Sequence, residues 1–588
     1  MCTSLNAQKQ DYIWISNFYS TDSCYNAPSP DRCGASILDF NSLPPSTYRE
    51  IKLTLDFLES NASICDENGE LLLYSNGQSI HDFNHHWIDN GEIVNYSPKW
   101  EWLTWTNEFN KTRPSGFRGV QSVNIIPGPG AQDEYWCLYH NYENFDGPTE
   151  IGNYELWSVY VKKNDEGNFE AFGKDSLIYD QIRRRGNLNA CKHANGRDWW
   201  FLQFNRDTVH TFLVDPFGIH LDHSQVLPFE LRTSFGQSKF SASGSKFALH
   251  GEYVFEHNEP HGADFMLAEF DRCTGDLLNP DYYQIQAGDW IDNALEFSPD
   301  EKLIYLGLKD TIYQYDLESE NLLDSKEVIY TLVGDTCHLF GRDIQLGQMQ
   351  LGPDNKIYCA LGGQCTSMHR IDYPNVKGPD CMFRSEVIPF PSFIFGTIPT
   401  LNTYRLGPLD GSSCDTLGLD NIPVSRFWFE QDSIDYQSVQ FWDVSYFRPE
   451  EWSWDFGDGM QSNERHPFHE FENNGIYEVC LTVRNENAED TSCQTLEIGP
   501  SSIKNILDKE YLSIYPNPVE EYTRLVIYHY LPENARCNIY NAEGILVKSL
   551  QVMGGENRLY LGDLMQGIYF CEVVDGVRSL GAGKLLKM

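Results

Sequence analysis

Apolar and polar residues alternate along most of the chain in runs of strand length, and helical periodicity is nearly absent. Gly, Asn, Asp and Pro break the runs, which is an all-β signature. One arrangement recurs. Asp66-Glu67-Asn68-Gly69 precedes ELLLYSNG and then SIHDF, and Gly130-Ala131-Gln132-Asp133 precedes EYWCLYH and then YELWSVYV. Asn195-Gly196-Arg197-Asp198 precedes WWFLQF and TVHTFLVD, and Ser243-Gly244-Ser245 precedes KFALHG and ADFMLAEFD. Ser298-Pro299-Asp300-Glu301 precedes KLIYLGL and TIYQYDL, and Gly352-Pro353-Asp354-Asn355 precedes KIYCAL and SMHRIDY. The unit is a polar turn, a hydrophobic strand, a short turn and a second strand. It returns at a spacing of roughly 45 to 65 residues.

No such unit buries both faces alone, so neighbours must stack radially, which predicts a β-propeller. The units predict seven blades, with six as the alternative. The seventh would be closed by Pro391–Leu406 pairing with Asp11–Ser16 or Ala35–Phe40, removing free sheet edges. The propeller is expected over 8–407. Residues 408–423, rich in Gly, Ser, Asp and Leu, read as a linker. A second module is expected over 424–499, a linker over 500–510 and a third module over 511–588.

In the second module WSWDFGDG (Trp452–Gly459), HPFHEF (His466–Phe471) and GIYEVCLTVRN (Gly475–Asn485) resemble the PKD domain. The resemblance implies an Ig-like β-sandwich. Trp454 and Phe456 supply core bulk, while Asp455 and Gly457-Asp458-Gly459 suit a tight turn. The third module carries LSIYPNP (Leu512–Pro518), NIYNAEGILV (Asn538–Val547), LMQGIYFCEVVDG (Leu564–Gly576) and GKLLK (Gly583–Lys587). These motifs look like the type A C-terminal sorting domain of the type IX secretion system of Bacteroidetes. That resemblance implies a small β-sandwich, engagement with the type IX secretion machinery, export across the outer membrane, and an extracellular or outer-surface destination. ICDENGELLLYSNGQSIHDFNHHWIDNG (Ile64–Gly91) and ACKHANGRDWW (Ala190–Trp200) resemble the N-terminal halves of other secreted Bacteroidetes proteins.

Charge sharpens the picture. The 588 residues hold 43 basic and 85 acidic side chains, a net of −42, which excludes a nucleic-acid binder with a general basic surface. Asn538–Met588 is balanced, with five basic and five acidic residues, so the negative charge belongs to the exported part. No apolar run reaches the length of a membrane-spanning helix, so no integral membrane segment is expected. Residues 1–7 read as a signal-peptide remnant, with Ala7 before the cut. Pairing Cys480 with Cys493 also pairs Thr482 with Thr491 and Arg484 with Glu489, leaving a turn over 485–488. A cross-strand disulfide fits that register.

Catalytic motifs are missing: there is no HExxH, GxSxG, Walker A or EF-hand pattern. No catalytic residue, cofactor or metal ligand is therefore assigned. His81, His85 and His86 cluster with Asp82 and Asp89, but adjacent His85 and His86 point to opposite faces of an extended segment. His257, Glu259, His261 and Asp264 are spaced to converge on a metal or simply to form a rigid turn beside Pro260 and Gly262. Arg183, Arg184 and Arg185, with Lys192, His193, Arg197 and Asp198, form the one basic cluster and are the ligand candidates, suited to a carboxylated glycan. Trp100, Trp102, Trp105, Trp199 and Trp200 either stack on sugars or fill blade interfaces. Asp175-Ser176-Leu177, Asp207-Thr208-Val209, Asp310-Thr311-Ile312, Asp415-Thr416-Leu417 and Asp432-Ser433-Ile434 resemble the O-glycosylation motif of Bacteroidetes.

The expected function is a secreted or cell-surface binding or adhesion protein. Its propeller would recognise an extracellular glycan or protein ligand, and its PKD domain would act as a spacer. The alternative is an extracellular polysaccharide hydrolase or lyase with its site in the propeller channel.

Overall fold

The hydrophobic runs become the second strand of each repeating sheet, which is covered on both faces. Leu303–Leu308 is buried throughout, and Trp199–Asn205 is buried up to its last residue. A computed structural model describes residues 9–17, 34–53, 55–57, 59–96, 104–106, 112–114, 119–141, 154–182, 186–231, 235–253, 262–286, 293–308, 310–332, 345–362, 365–394, 396–431, 436–499, 512–515, 519, 521–527, 535–541, 545–552, 555–575 and 578–587. Among these, and before Gly407, five antiparallel sheets have four strands, two have three and one hairpin has two. One four-stranded sheet runs Ala190–Lys192, Trp199–Asn205, Thr208–Asp215 and Gly218–Val226. Its fourth strand is mostly solvent-facing, and the other meanders repeat this plan. The repeat read from sequence covered the second and third strands; the first strands are buried but short or mixed with polar residues, and the fourth turns largely to solvent, so neither shows as a hydrophobic run.

The sheets converge on one segment. Residues 396–407 leave the last sheet and bond to the first strands of five different sheets in turn. Ser16 Oγ donates to Thr397 O at 3.4 Å, and the Ile398 amide donates to Gln348 Oε1 at 2.8 Å. The Thr400 amide donates to Asn61 O at 2.7 Å, beside Ala62–Cys65. The Asn402 amide group meets Asn124 and Ile125 O, and the Thr403 amide donates to Ala190 O. A short segment reaches five first strands only if they surround it, which is the radial arrangement of a β-propeller. Ile398, Thr400, Leu401 and Tyr404 are all buried there. The turn into the centre demands glycine: a Cβ on Gly347 would stand 2.3 Å from Gly396 O.

This corrects the expected closure. The last strand ends at Ile394, within Phe383–Ile394, and its backbone pairs with Cys365–Ile371. It meets the first sheet through side chains, Ser36 Oγ lying 2.8 Å from Ser392 Oγ and 3.0 Å from Ser392 O. Gly396 and Pro399 interrupt the alternation that suggested a longer strand. The stretch 408–423 is not a free tether either. A disulfide joins Cys414 to Cys273, and Asn421 Nδ2 donates to Pro408 O at 2.8 Å.

The chain divides into two compact units. One comprises Met1–Phe429, Phe441–Pro467 and Val479–Cys493; the other comprises Glu430–Gln440, Phe468–Glu478 and Gln494–Met588. Phe427–Gln431, Ser438–Asp443 and Phe468–Glu470 form a three-stranded sheet. Glu451–Asp455 lies in a four-stranded sheet with Gln461–Ser462, Gly475–Arg484 and Glu489–Ile498. Trp454 and Phe456 are buried against Phe441, and Asp455 and Asp458 each accept a turn amide at 2.9 Å. Cys480 and Cys493 form a disulfide with S–S 2.07 Å, and Thr482 and Thr491 hydroxyls lie 2.8 Å apart. Within the first unit, this part packs directly on the propeller. Arg426 donates to Phe40 O at 2.9 Å, the Lys356 ammonium sits 4.2 Å from the Trp428 ring, and Tyr373 contacts Trp442. These contacts tie residues 426, 428 and 442 to the propeller.

In the second unit, Leu512–Tyr515, Tyr522–Ile527 and Gly555–Tyr560 form one sheet. Arg536–Asn541, Leu546–Gln551, Gly567–Asp575 and Arg578–Lys587 form the other. Leu525, Ile539, Leu559, Val573 and Leu585 belong to its core. No helix among the described residues is long and apolar enough to cross a membrane.

Candidate functional site

The polar turns between first and second strands line a cleft of about 520 Å³, roofed by residues 444–449 and by Arg465 and His466. Its floor is the end of the central segment, Leu401 to Leu409. The volume lies within the roughly 300–1,000 Å³ of small-molecule sites.

Charge in the cleft inverts that of the chain. Lys239, Arg272, Arg405, Arg448 and Arg465 face three carboxylates, Asp11, Glu296 and Asp300. Some of these are paired. Lys239 Nζ lies 3.0 Å from Glu296 Oε2, both side chains being buried. Burial pulls the Lys239 ammonium below its ordinary range, and Glu296 opposes that shift. Glu296 also accepts the Phe297 and Leu351 amides. Arg405 Nη2 lies 2.5 Å from Asp11 Oδ2.

Arg272 differs from these. Its Nε donates to Lys192 O at 2.8 Å, and its Nη2 donates to Gly407 O at 2.6 Å and His193 O at 3.3 Å. Carbonyl dipoles hold the buried guanidinium in place, and no carboxylate is among its hydrogen-bond partners. Burial lowers its pKa, and the nearby Arg448 charge acts in the same direction. Arg448 is presented by a strained turn, Phe447 and Arg448 both having left-handed backbone with φ of 62° and 55°. Asn485 Nδ2 holds that turn by donating to Phe447 O. Arg465 Nε donates to Asp443 Oδ2 at 3.0 Å, and burial lowers the neighbouring His466 imidazole.

The sequence candidates are described only in part. Arg183, Arg184 and Arg185 lie outside the described residues, as do His257, Glu259, His261, Trp100 and Trp102. Arg197 is already closed on a carboxylate: its Nε and Nη2 donate to Asp198 at 2.7 and 3.0 Å. His193 Nδ1 accepts the Asn195 amide, and its ring packs on Trp200. Both belong to a self-satisfied turn. Trp199 and Trp200 are buried, Trp199 beneath Lys192 and Trp200 donating to Arg272 O at 2.8 Å.

Two members of the first histidine cluster, His81 and His85, both contact Tyr74. His81 is buried, stacked on Tyr74, with Nε2 3.1 Å from Ser79 Oγ. His85 instead spans Tyr74 Oη at 3.1 Å and Glu50 at 3.4 Å. The described residues hold no cluster of metal-binding side chains. Asp175 accepts the Tyr139 hydroxyl at 2.6 Å, and Asp432-Ser433-Ile434 lies outside the described residues. Arg272 carried no sequence signal, since DRCTGD (Asp271–Asp276) reads as an ordinary polar turn.

Residues 431–499 match the PKD domain family, and residues 513–585 match the secretion system C-terminal sorting domain family. No curated protein matches the chain. Among solved structures, the PKD1 domain of the Vibrio cholerae metalloprotease PrtV is similar at 31% identity over 13% of this chain and 96% of its own, with TM-score 0.12. A 6-phosphogluconolactonase-like protein of Bacteroides uniformis is similar at 15% identity over 61% and 92%, with TM-score 0.35. PorZ, a surface component of the type IX secretion system of Porphyromonas gingivalis, is similar at 11% identity over 94% and 84%, with TM-score 0.18. The chain is thus a protein of the type IX export route, secreted or held at the cell surface, built from propeller sheets, a PKD domain and a C-terminal sorting domain.

Proposed function

We propose that this is an extracellular recognition protein, and that the cleft between the propeller turns and the PKD residues takes its ligand. One observation carries the reading: a cleft of ligand size gathers five cationic side chains in a chain of net charge −42. In this reading the seven three- and four-stranded sheets before Gly407 are seven blades. The propeller ends at residue 407, and the sorting domain begins near residue 511.

Two features favour binding over turnover in the propeller channel. Residues 396–407 occupy the middle of the ring. The cleft carboxylates are also engaged, Glu296 by Lys239 and Asp300 by the Ser298 hydroxyl and the Lys302 amide. The test is a panel of extracellular polysaccharides and proteins offered to the full chain. Binding without product formation is expected; turnover of any panel member contradicts the reading.

A further inference from the structure

Resting on that reading, we infer that the cleft binds an acidic saccharide, with Arg272 and Arg448 receiving a sugar carboxylate. A buried guanidinium held only by carbonyl dipoles is costly unless an anion completes it. Arg272 is 8% exposed, lines the cleft, and has Nε and Nη2 occupied by carbonyls, which leaves Nη1. Arg448 is the second cation: it lines the same cleft, its side chain is 52% exposed, and its contact to Asp410 is loose at 3.6 Å. Guanidinium groups lining one cleft suit the oxygens of a carboxylate.

The rest of the wall selects among anions. Asp11, Glu296 and Asp300 also line the cleft, so a doubly charged phosphate meets opposing carboxylates, whereas a sugar acid brings one charge per residue. Ser243, Asn355, Asn375 and Thr403 bring neutral polar side chains to the wall, suited to hydroxyl groups. A polyhydroxylated monoanion uses both sets.

The experiment titrates the full chain by calorimetry with tetragalacturonate, its methyl ester and tetraglutamate. The expected result is binding of tetragalacturonate, at least tenfold weaker binding of the ester, weakening in high salt, and no comparable binding of the peptide. Arg448→Asn, which tolerates the left-handed backbone, should weaken tetragalacturonate about tenfold with the melting temperature unchanged. Arg272→Met should abolish binding, and circular dichroism must show it folded. Equal binding of ester and acid overturns the carboxylate assignment while leaving the cleft as a recognition site. Binding that ignores Arg448→Asn overturns the placement in the cleft. Equal or tighter tetraglutamate binding overturns the saccharide, as does no tetragalacturonate binding at millimolar concentration.

Discussion

The side-chain amides of Asn402 and Asn124, 278 residues apart, exchange hydrogen bonds at 2.7 and 3.1 Å in the buried centre of the propeller. Asn402 also donates to Ile125 O and accepts the Ala190 amide, both at 3.0 Å. One side chain thereby ties the end of the ring to two sheets. Asn402→Ala leaves several buried groups unpaired, at about 1–3 kcal/mol each before relaxation. The expected loss is about 2–4 kcal/mol, read as a lower urea midpoint with unchanged slope. An unchanged midpoint would show that the central segment is not bolted in place.

Lys239 and Glu296 form a buried pair, with side chains 4% and 5% exposed. Removing one partner strands the other charge, so Lys239→Met should cost about 3–5 kcal/mol. Lys239→Met with Glu296→Gln should recover much of that, because Gln still offers an oxygen to the Phe297 and Leu351 amides. A double variant no more stable than the single one would contradict the pairing.

His81 supplies a pH dependence. Burial pushes its imidazole from 6.5 down to about 3, so the folded protein keeps it neutral where the unfolded chain protonates it. Stability should be unaffected by His81 above pH 6.5 and should fall progressively from pH 6.5 towards 3, by an amount on the order of 4 kcal/mol. Thermal melts of His81→Gln should show a shallower decline over that window. Parallel curves for the two proteins would reject the assignment.

The Cys273–Cys414 bridge closes a loop across 141 residues of sequence. Cys414→Ser should cost about 2–4 kcal/mol. Limited proteolysis should then cut within residues 408–423 faster than in the intact protein. Equal cutting rates would mean that the stretch is held by its other contacts, such as the Leu409 amide to Ala194 O.

What was legible in the sequence follows from burial. Leu303–Leu308 and Ile357–Gly362 are covered on both faces, so they read as apolar runs. Gly218–Val226 faces solvent and alternates weakly, so the fourth strands passed unnoticed. The Cys480–Cys493 register was readable because local pairing fixes it. Residues 396–407 look like a strand by composition, but their partners lie on five separate sheets, which no local pattern records. Arg272 escaped for the same reason, since its partners are backbone carbonyls near residues 193 and 407. Arg197 stood out as a basic residue, and its pairing with the adjacent Asp198 is visible only in the structure.

The most direct test of the recognition site is occlusion. Ser243 is exposed at the wall of the cleft, and Ser243→Trp places an indole where ligand is expected. Wild-type and variant full chains, first shown to be exported in equal amounts, are compared on the same polysaccharide and protein panel. At least a tenfold loss of each interaction in the variant is predicted; binding retained at wild-type strength would place recognition elsewhere and contradict the account.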